Sequence, residues 1–172
     1  MKDILKQINP VTKDGNLNVI IEIQKGSKNK YELDKETGLI MLDRVMHTGQ
    51  DYPFDYGFVP NTLWHDGDPL DVVVMTTYPL LPGVLLETKV LGVMDMIDDG
   101  ESDAKIIAVP AKDPRFAHLN DLSDIPAHTI KEYKHFFETY KVIQNKEVSI
   151  PTIRNKEDAM KVVAESIELF NK

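Results

Sequence analysis

Three carboxylates fall within six residues in the run Asp66-Gly67-Asp68-Pro69-Leu70-Asp71. Anions held this close repel one another: two charges about 5 Å apart at an effective dielectric near 20 cost roughly 3 kcal/mol. A folded chain tolerates that when a cation sits among them. Hard divalent ions such as Mg²⁺, Mn²⁺ and Ca²⁺ take carboxylate oxygens as ligands. The spacers sharpen the reading. Gly67 admits backbone conformations that other residues resist. Pro69 fixes its own φ and biases Asp68 towards an extended conformation. The run reads as a stiff turn that aims carboxylates. It is not a calcium-sensor loop: counted from Asp66, the sixth position is Asp71 where that loop needs Gly, and the twelfth is Thr77 where it needs Glu.

A second acidic cluster, Asp98-Asp99-Gly100-Glu101-Ser102-Asp103, precedes Lys105. Taken alone it reads as readily as a solvated loop. Two such turns at adjacent strand ends would face each other and hold more than one cation. Basic and phenolic residues occur in otherwise apolar or turn contexts: Lys30, Arg44, Lys105, Lys141, Tyr52, Tyr56 and Tyr140. Singly each reads as a surface charge or a core aromatic, and Arg44 has an ion-pair partner beside it in Asp43. Together with metal-binding acids they form a set of donors for phosphate oxygens: Arg as a fork, Lys as a point charge, Tyr as a hydroxyl. The chain has no phosphate-binding GxxxxGK[ST] loop, no GxGxxG, no HExxH and no GxSxG. Its five histidines lack zinc spacing, and His128 and His135, one heptad apart, read as packing or subunit-contact residues.

These residues need a frame. A chain of 172 residues, 42% hydrophobic, is enough for one domain, 1–172, with a real core. A net charge of −8 argues against nucleic acid or an anionic membrane as partner. The absence of cysteine excludes disulfides, thiolate sites and Cys nucleophiles. The charged N-terminal run, 1–15, does not resemble a secretory signal. No stretch approaches the ~18 apolar residues of a membrane span. A cytoplasmic protein is expected.

The first two thirds read as strands. These are 17–23, a hairpin of 30–33 and 39–42 joined by 34–38, then 72–77 directly after the acidic turn, 84–97 as one or two strands, and 104–109. The last third turns helical. Ile130, Tyr133, Phe137 and Tyr140 share one helical face, and Pro126 is acceptable in that helix's first turn. Asn155 and Asp158 resemble a cap before the stripe Ala159, Val162, Val163, Ile167 and Phe170. The class expected is α+β, mainly β: a small closed sheet with C-terminal helices packed outside it.

From 19 to the last helix, the chain resembles the family I soluble inorganic pyrophosphatases in their compact bacterial form. The run Asp66-Gly67-Asp68-Pro69-Leu70-Asp71-Val72 fits that family's D-x-D-P-x-D-x pattern. The supporting matches follow in family order: Glu22 in Val-Ile-Ile-Glu, Lys30-Tyr31-Glu32, Asp43-Arg44, Tyr52-Pro53, Tyr56-Gly57-Phe58, Asp103-Ala104-Lys105 and Tyr140-Lys141. The resemblance implies an OB-like five-stranded β-barrel with flanking helices. It also implies Mg²⁺-dependent hydrolysis of pyrophosphate, with several Mg²⁺ per site and Mn²⁺ or Zn²⁺ as substitutes, and a homo-oligomer, usually a hexamer. Carried onto matching positions, it assigns metal to Asp66, Asp71, Asp98, Asp103 and Glu32, with Asp71 shared between two ions. It makes Asp68 the general base, with Tyr56 beside it in the catalytic set. It gives phosphate oxygens to Lys30, Arg44, Tyr56, Lys105, Tyr140 and Lys141. Glu22, Tyr52 and Asp99 would line the site. Two departures stand out: Asp98-Asp99 replaces the common Asp-Glu pair, and Thr139 lies near a position where a family histidine serves subunit contacts. Three rival readings share some of these features: a non-catalytic cation or polyphosphate binder, an oligonucleotide-binding barrel, and a hydrolase of other phosphoesters.

Overall fold

The computed structural model describes residues 5–172, so the first four residues of the N-terminal run lie outside it. Strand β1 (Leu17–Ile23) forms where its β-branched run predicts. It is followed by β2 (Asn29–Leu33), β3 (Ile40–Val45), β4 (Asp55–Phe58), β5 (Asp71–Val74), β6 (Leu85–Asp98), β7 (Glu101–Ser102), β8 (Lys105–Pro110) and β9 (Val148–Asn155). Helix α1 spans Ala127–Thr139 and α2 spans Lys156–Phe170.

Strands β1, β4, β5, β8 and β6 pair in that order, and β6 pairs back with β1, so the pairings run in a ring. Within it β5 and β8 are parallel and the other pairs antiparallel. Length lets β6 serve several partners: its first residues pair with β1, its middle with β8 and its far half with β9. Register shifts between Val90 and Gly92 and between Asp95 and Ile97 bend it on the way. Gly57 permits the tight join of β4 to β1, because a Cβ there would lie 2.0 Å from the Ile20 carbonyl oxygen. β2 and β3 form a separate two-stranded sheet.

The near-continuous apolar strands are explained by burial on both faces. Along β5, Val72 and Val74 join one core cluster and Val73 the other; along β8, Ile106 and Ala108 divide from Ile107 and Val109 in the same way. The first cluster is completed by Ala159, Val162 and Val163 of α2. The second is completed by Tyr133, Phe136 and Phe137 of α1, packed on Phe54. The cap of α2 is as expected: the Asp158 N–H donates to Asn155 Oδ1 at 3.1 Å.

Several expectations are corrected. The strand expected over 72–77 ends at Val74, because Thr76 and Thr77 turn their hydroxyls to Asp55 and Asp113. Strand β4 is only four residues long and contains Gly57, so it left no periodic signal. Strand β9 contains Pro151, which cannot donate to a ladder; its pairing with β6 is irregular between Ser149 and Thr152, on either side of that proline. Pro126 stands at the N-cap of α1, not inside its first turn. His128 and His135 are exposed on the outer face of α1, so neither packs within this chain. Among the described residues no helix is long and apolar enough to cross a membrane.

Candidate active site

The acidic turn is built as a closed unit between β4 and β5. The Val59 N–H donates to the Leu70 carbonyl at 2.9 Å, and the Leu70 N–H to Thr62 Oγ1 at 2.9 Å. Inside it, the Trp64 N–H donates to the Asp68 carbonyl at 2.7 Å and the Gly67 N–H to the Trp64 carbonyl at 3.0 Å. Gly67 sits at φ +85, the left-handed conformation its position predicts. The turn thus delivers Asp71 as the first residue of β5. Its register neighbour on β8 is Lys105, the first residue there. Tyr56 arrives from β4, whose first residue is anchored: the fully buried Asp55 accepts from the Lys25 N–H at 2.9 Å, the Leu80 N–H at 3.0 Å and the Thr76 hydroxyl.

These placements create a buried floor. Lys105 Nζ donates to Asp71 Oδ2 at 2.5 Å and also to Asp103, with its side chain only 3% exposed. The Tyr56 hydroxyl donates to the same Asp71 oxygen at 2.6 Å. Burial disfavours the Lys105 ammonium, but Asp71 and Asp103 outweigh it and hold its pKa above the usual range. One ammonium thus serves two carboxylates. Burial raises the pKa of Asp71 against the pull of Lys105, and the charge of Asp103 adds to the rise. Asp103 is raised by burial in the same way, and so is Asp66. The carboxyls of Asp66 and Asp103 come within hydrogen-bond reach, so the two acidic turns do face each other. Glu22 is pushed up to about 8 by burial and by the charge of Asp71, although the Leu33 N–H donates to it at 2.7 Å. Burial likewise raises Tyr52, Tyr56 and Tyr140, which keeps their hydroxyls protonated.

Around the floor lies a rim of further pairs, from half-buried to exposed. Lys141 donates to Asp98, Lys30 to Glu32, Lys35 to Asp68 at 2.6 Å, and Lys146 meets Asp99 at 3.0 Å. Floor and rim enclose a cleft of about 380 Å³. It is lined by Glu22, Lys30, Glu32, Tyr52, Tyr56, Asp66, Asp68, Asp71, Asp98, Asp99, Asp103, Lys105, Tyr140 and Lys141, all singled out from the sequence. Arg44 is the exception. It is the register neighbour of Lys30, but its guanidinium turns to Asp43 at 2.6 Å and does not line the cleft. The cleft also contains Glu101, read as part of the second acidic cluster, and Lys35 and Lys146, which sequence reasoning missed. As single charges outside any recognisable run, the two lysines carried no signal.

No three carboxylate or imidazole groups among the described residues converge on one ion-sized point, and Lys105 stands between Asp71 and Asp103. The donor chemistry still fits a hard cation. The lining acids offer only oxygen, and Asp98 Oδ1 is buried without a hydrogen-bond partner, which leaves a charged oxygen in need of one.

Hard carboxylates on facing turns, with lysines and tyrosines fit to hold phosphate oxygens, define an enzyme site of the phosphoryl-hydrolase class. The chain belongs to the family I soluble inorganic pyrophosphatases, whose enzymes are inorganic diphosphatases: the family model described as inorganic pyrophosphatase matches residues 19–171. It is 49% identical over 151 residues to an inorganic pyrophosphatase of Geobacillus stearothermophilus, covering 88% of this chain and 92% of that one. It is 48% identical over 153 residues to soluble inorganic pyrophosphatase 1 of Arabidopsis thaliana, covering 89% of this chain and 72% of that one. The crystal structure of the inorganic pyrophosphatase from Thermus thermophilus superposes with a TM-score of 0.93 at 43% identity, covering 98% of this chain and 99% of that one.

Proposed function

We propose that this chain hydrolyses inorganic pyrophosphate to two phosphates in a Mg²⁺-dependent reaction. The observation that carries the reading is the floor: one buried ammonium and one buried phenol on Asp71, with Asp103 beside them and Asp66 on the facing turn. Asp66, Asp71, Asp98, Asp103 and Glu32 would hold Mg²⁺. When bound, Mg²⁺ supplies positive charge against phosphate oxygens and lowers the pKa of water.

The chain's own residues supply the rest. Phosphoryl transfer to water needs positioning and charge stabilisation more than covalent chemistry. Lys30, Lys105 and Lys141 place positive charge against phosphate oxygens, and Arg44 joins them on turning from Asp43. Tyr140, kept protonated by burial, donates a hydrogen bond to the same oxygens, and Tyr56 does so on turning its one O–H from Asp71. Asp68, at the rim and 62% exposed, takes a proton from the attacking water on parting from Lys35. Glu22, Tyr52 and Asp99 line the cleft. The closed order of pairing among five strands supports reading the sheet as the family's OB-like barrel, acting as one domain. The partners are pyrophosphate and further copies of the chain, a hexamer in a cytoplasmic setting.

The test is phosphate release from pyrophosphate by the purified chain, with Mg²⁺ and with excess EDTA, and with ATP as a parallel substrate. Rapid Mg²⁺-dependent release from pyrophosphate and little from ATP is expected. No release in Mg²⁺ or Mn²⁺ from folded protein would favour a cation or polyphosphate binder instead. Equal release from ATP would favour a broader phosphoester hydrolase.

A further inference from the structure

Trp64 is the only tryptophan in the chain, and none of the chemistry above uses it. It stands two residues before Asp66 and closes the acidic turn through its backbone, donating to Asp68 and accepting from Gly67. The residue is 7% exposed and packs in the cluster that contains Leu70, Val72 and Ala104. From that apolar setting the indole N–H reaches out and donates to Ser102 Oγ at 3.3 Å. Ser102 belongs to the other acidic turn and immediately precedes Asp103. The segment is held from behind by α2: the Leu63 N–H donates to the Ser166 carbonyl at 2.9 Å, and His65 Nε2 meets Glu165 at 3.0 Å.

The indole–hydroxyl bond is therefore a cross-brace between the two turns. One end adjoins Asp66 and the other adjoins Asp103, the acids that approach each other across the gap. When both are ionised, their like charges push the turns apart. A small ion such as Mg²⁺ demands near-ideal geometry, so the separation of its ligands governs its affinity. Side chains that orient metal ligands without touching the ion typically contribute about 10–100-fold in affinity.

We propose that Trp64 is a positioning residue whose indole N–H, seated on Ser102, sets the separation of Asp66 and Asp103 and so the Mg²⁺ affinity of the cleft. The inference rests on the reading of those carboxylates as Mg²⁺ ligands. The experiment is calorimetric titration of Mg²⁺ into the metal-stripped full chain, without substrate, for wild type, Trp64→Phe, Ser102→Ala and the double variant. Trp64→Phe keeps a ring in the apolar pocket and removes the donor. Each single variant is expected to weaken Mg²⁺ binding by about tenfold, and the double variant by no more than either alone, because both remove one bond. Unchanged affinity in both single variants overturns the inference, and so do additive losses, which would mean that the side chains act separately. If Trp64→Phe does not fold, Ser102→Ala decides alone, since it leaves the tryptophan in place. A wild-type chain that takes up no Mg²⁺ overturns the metal reading as well, an outcome distinct from unchanged affinity in the variants.

Discussion

Lys105 at the floor of the cleft and Lys35 at its rim make the same bond, an ammonium on an aspartate, at 2.5 Å and 2.6 Å, in opposite surroundings. The Lys105 side chain is 3% exposed and its partner Asp71 19%; Lys35 is 65% exposed and Asp68 62%. At the floor, the pairing compensates charges that burial has stripped of water, and removing one partner strands the others. At the rim, water already solvates both charges, so the pair contributes little and exchanges partners freely. Depth thus separates two duties. Floor residues hold a fixed field, whereas a rim carboxylate such as Asp68 keeps contact with solvent, as the proposed general base requires.

Breaking the floor gives the largest expected effect. Lys105→Met removes the ammonium shared by Asp71 and Asp103 and is expected to cost about 3–5 kcal/mol. Most of the pyrophosphate hydrolysis should go with it. Urea unfolding without metal checks this, and the loss should be larger at pH 8 than at pH 5, because the stranded acids are then ionised. A loss of under 1 kcal/mol would place Lys105 with the rim.

Asp68→Asn sharpens the contrast. Turnover should fall by about 10²–10⁴, the usual range for a general base, while stability stays within about 0.5 kcal/mol of wild type. Steady-state kinetics beside thermal unfolding separates the two readouts, and near-normal turnover would remove Asp68 from the reaction.

Glu22 gives the pH dependence of the floor. Its folded pKa of about 8 lies above the ordinary carboxylate value of 4.5. The stability linked to its bound proton is therefore full below about 4.5 and lost as pH rises to about 8. Glu22→Gln keeps an acceptor for the Leu33 N–H without the charge. In EDTA the variant should gain on wild type as pH rises from 5 to 8, followed by urea unfolding. A residual slope should remain, because Asp66, Asp71 and Asp103 are raised in the same direction. The smallest effect is expected at the rim: Lys35→Ala should change stability by less than about 1 kcal/mol, measured by thermal unfolding.

Much of the site was legible because its signals are local. Gly67 and Pro69 dictate the shape of the acidic turn within a few residues, and the carboxylates are in the same run. Lys105, Tyr56 and Tyr140 were legible only as members of an ordered set, since a lone lysine or tyrosine carries no mark of its depth. The floor itself arises from register: parallel pairing brings Asp71 beside Lys105, 34 residues apart. Strand pairing at that range is set by the whole sheet. The same holds for Lys35, which reaches Asp68 across 33 residues from the hairpin turn. Strands β4 and β9 escaped for the opposite reason, with a glycine in one and a proline in the other hiding the alternation that marks a strand. Arg44 shows a limit of residue type: a guanidinium takes the partner beside it, here Asp43, whatever role its position implies.

The most direct test of the account is the Mg²⁺ dependence of phosphate release from pyrophosphate by Asp71→Asn. Asp71 joins Lys105 and Tyr56 at the floor and is the carboxylate on which the metal and phosphate readings meet. The half-saturating Mg²⁺ concentration is predicted to rise by at least about tenfold, with only part of the activity recovered at high Mg²⁺. A variant with the same Mg²⁺ dependence and turnover as wild type would contradict the account.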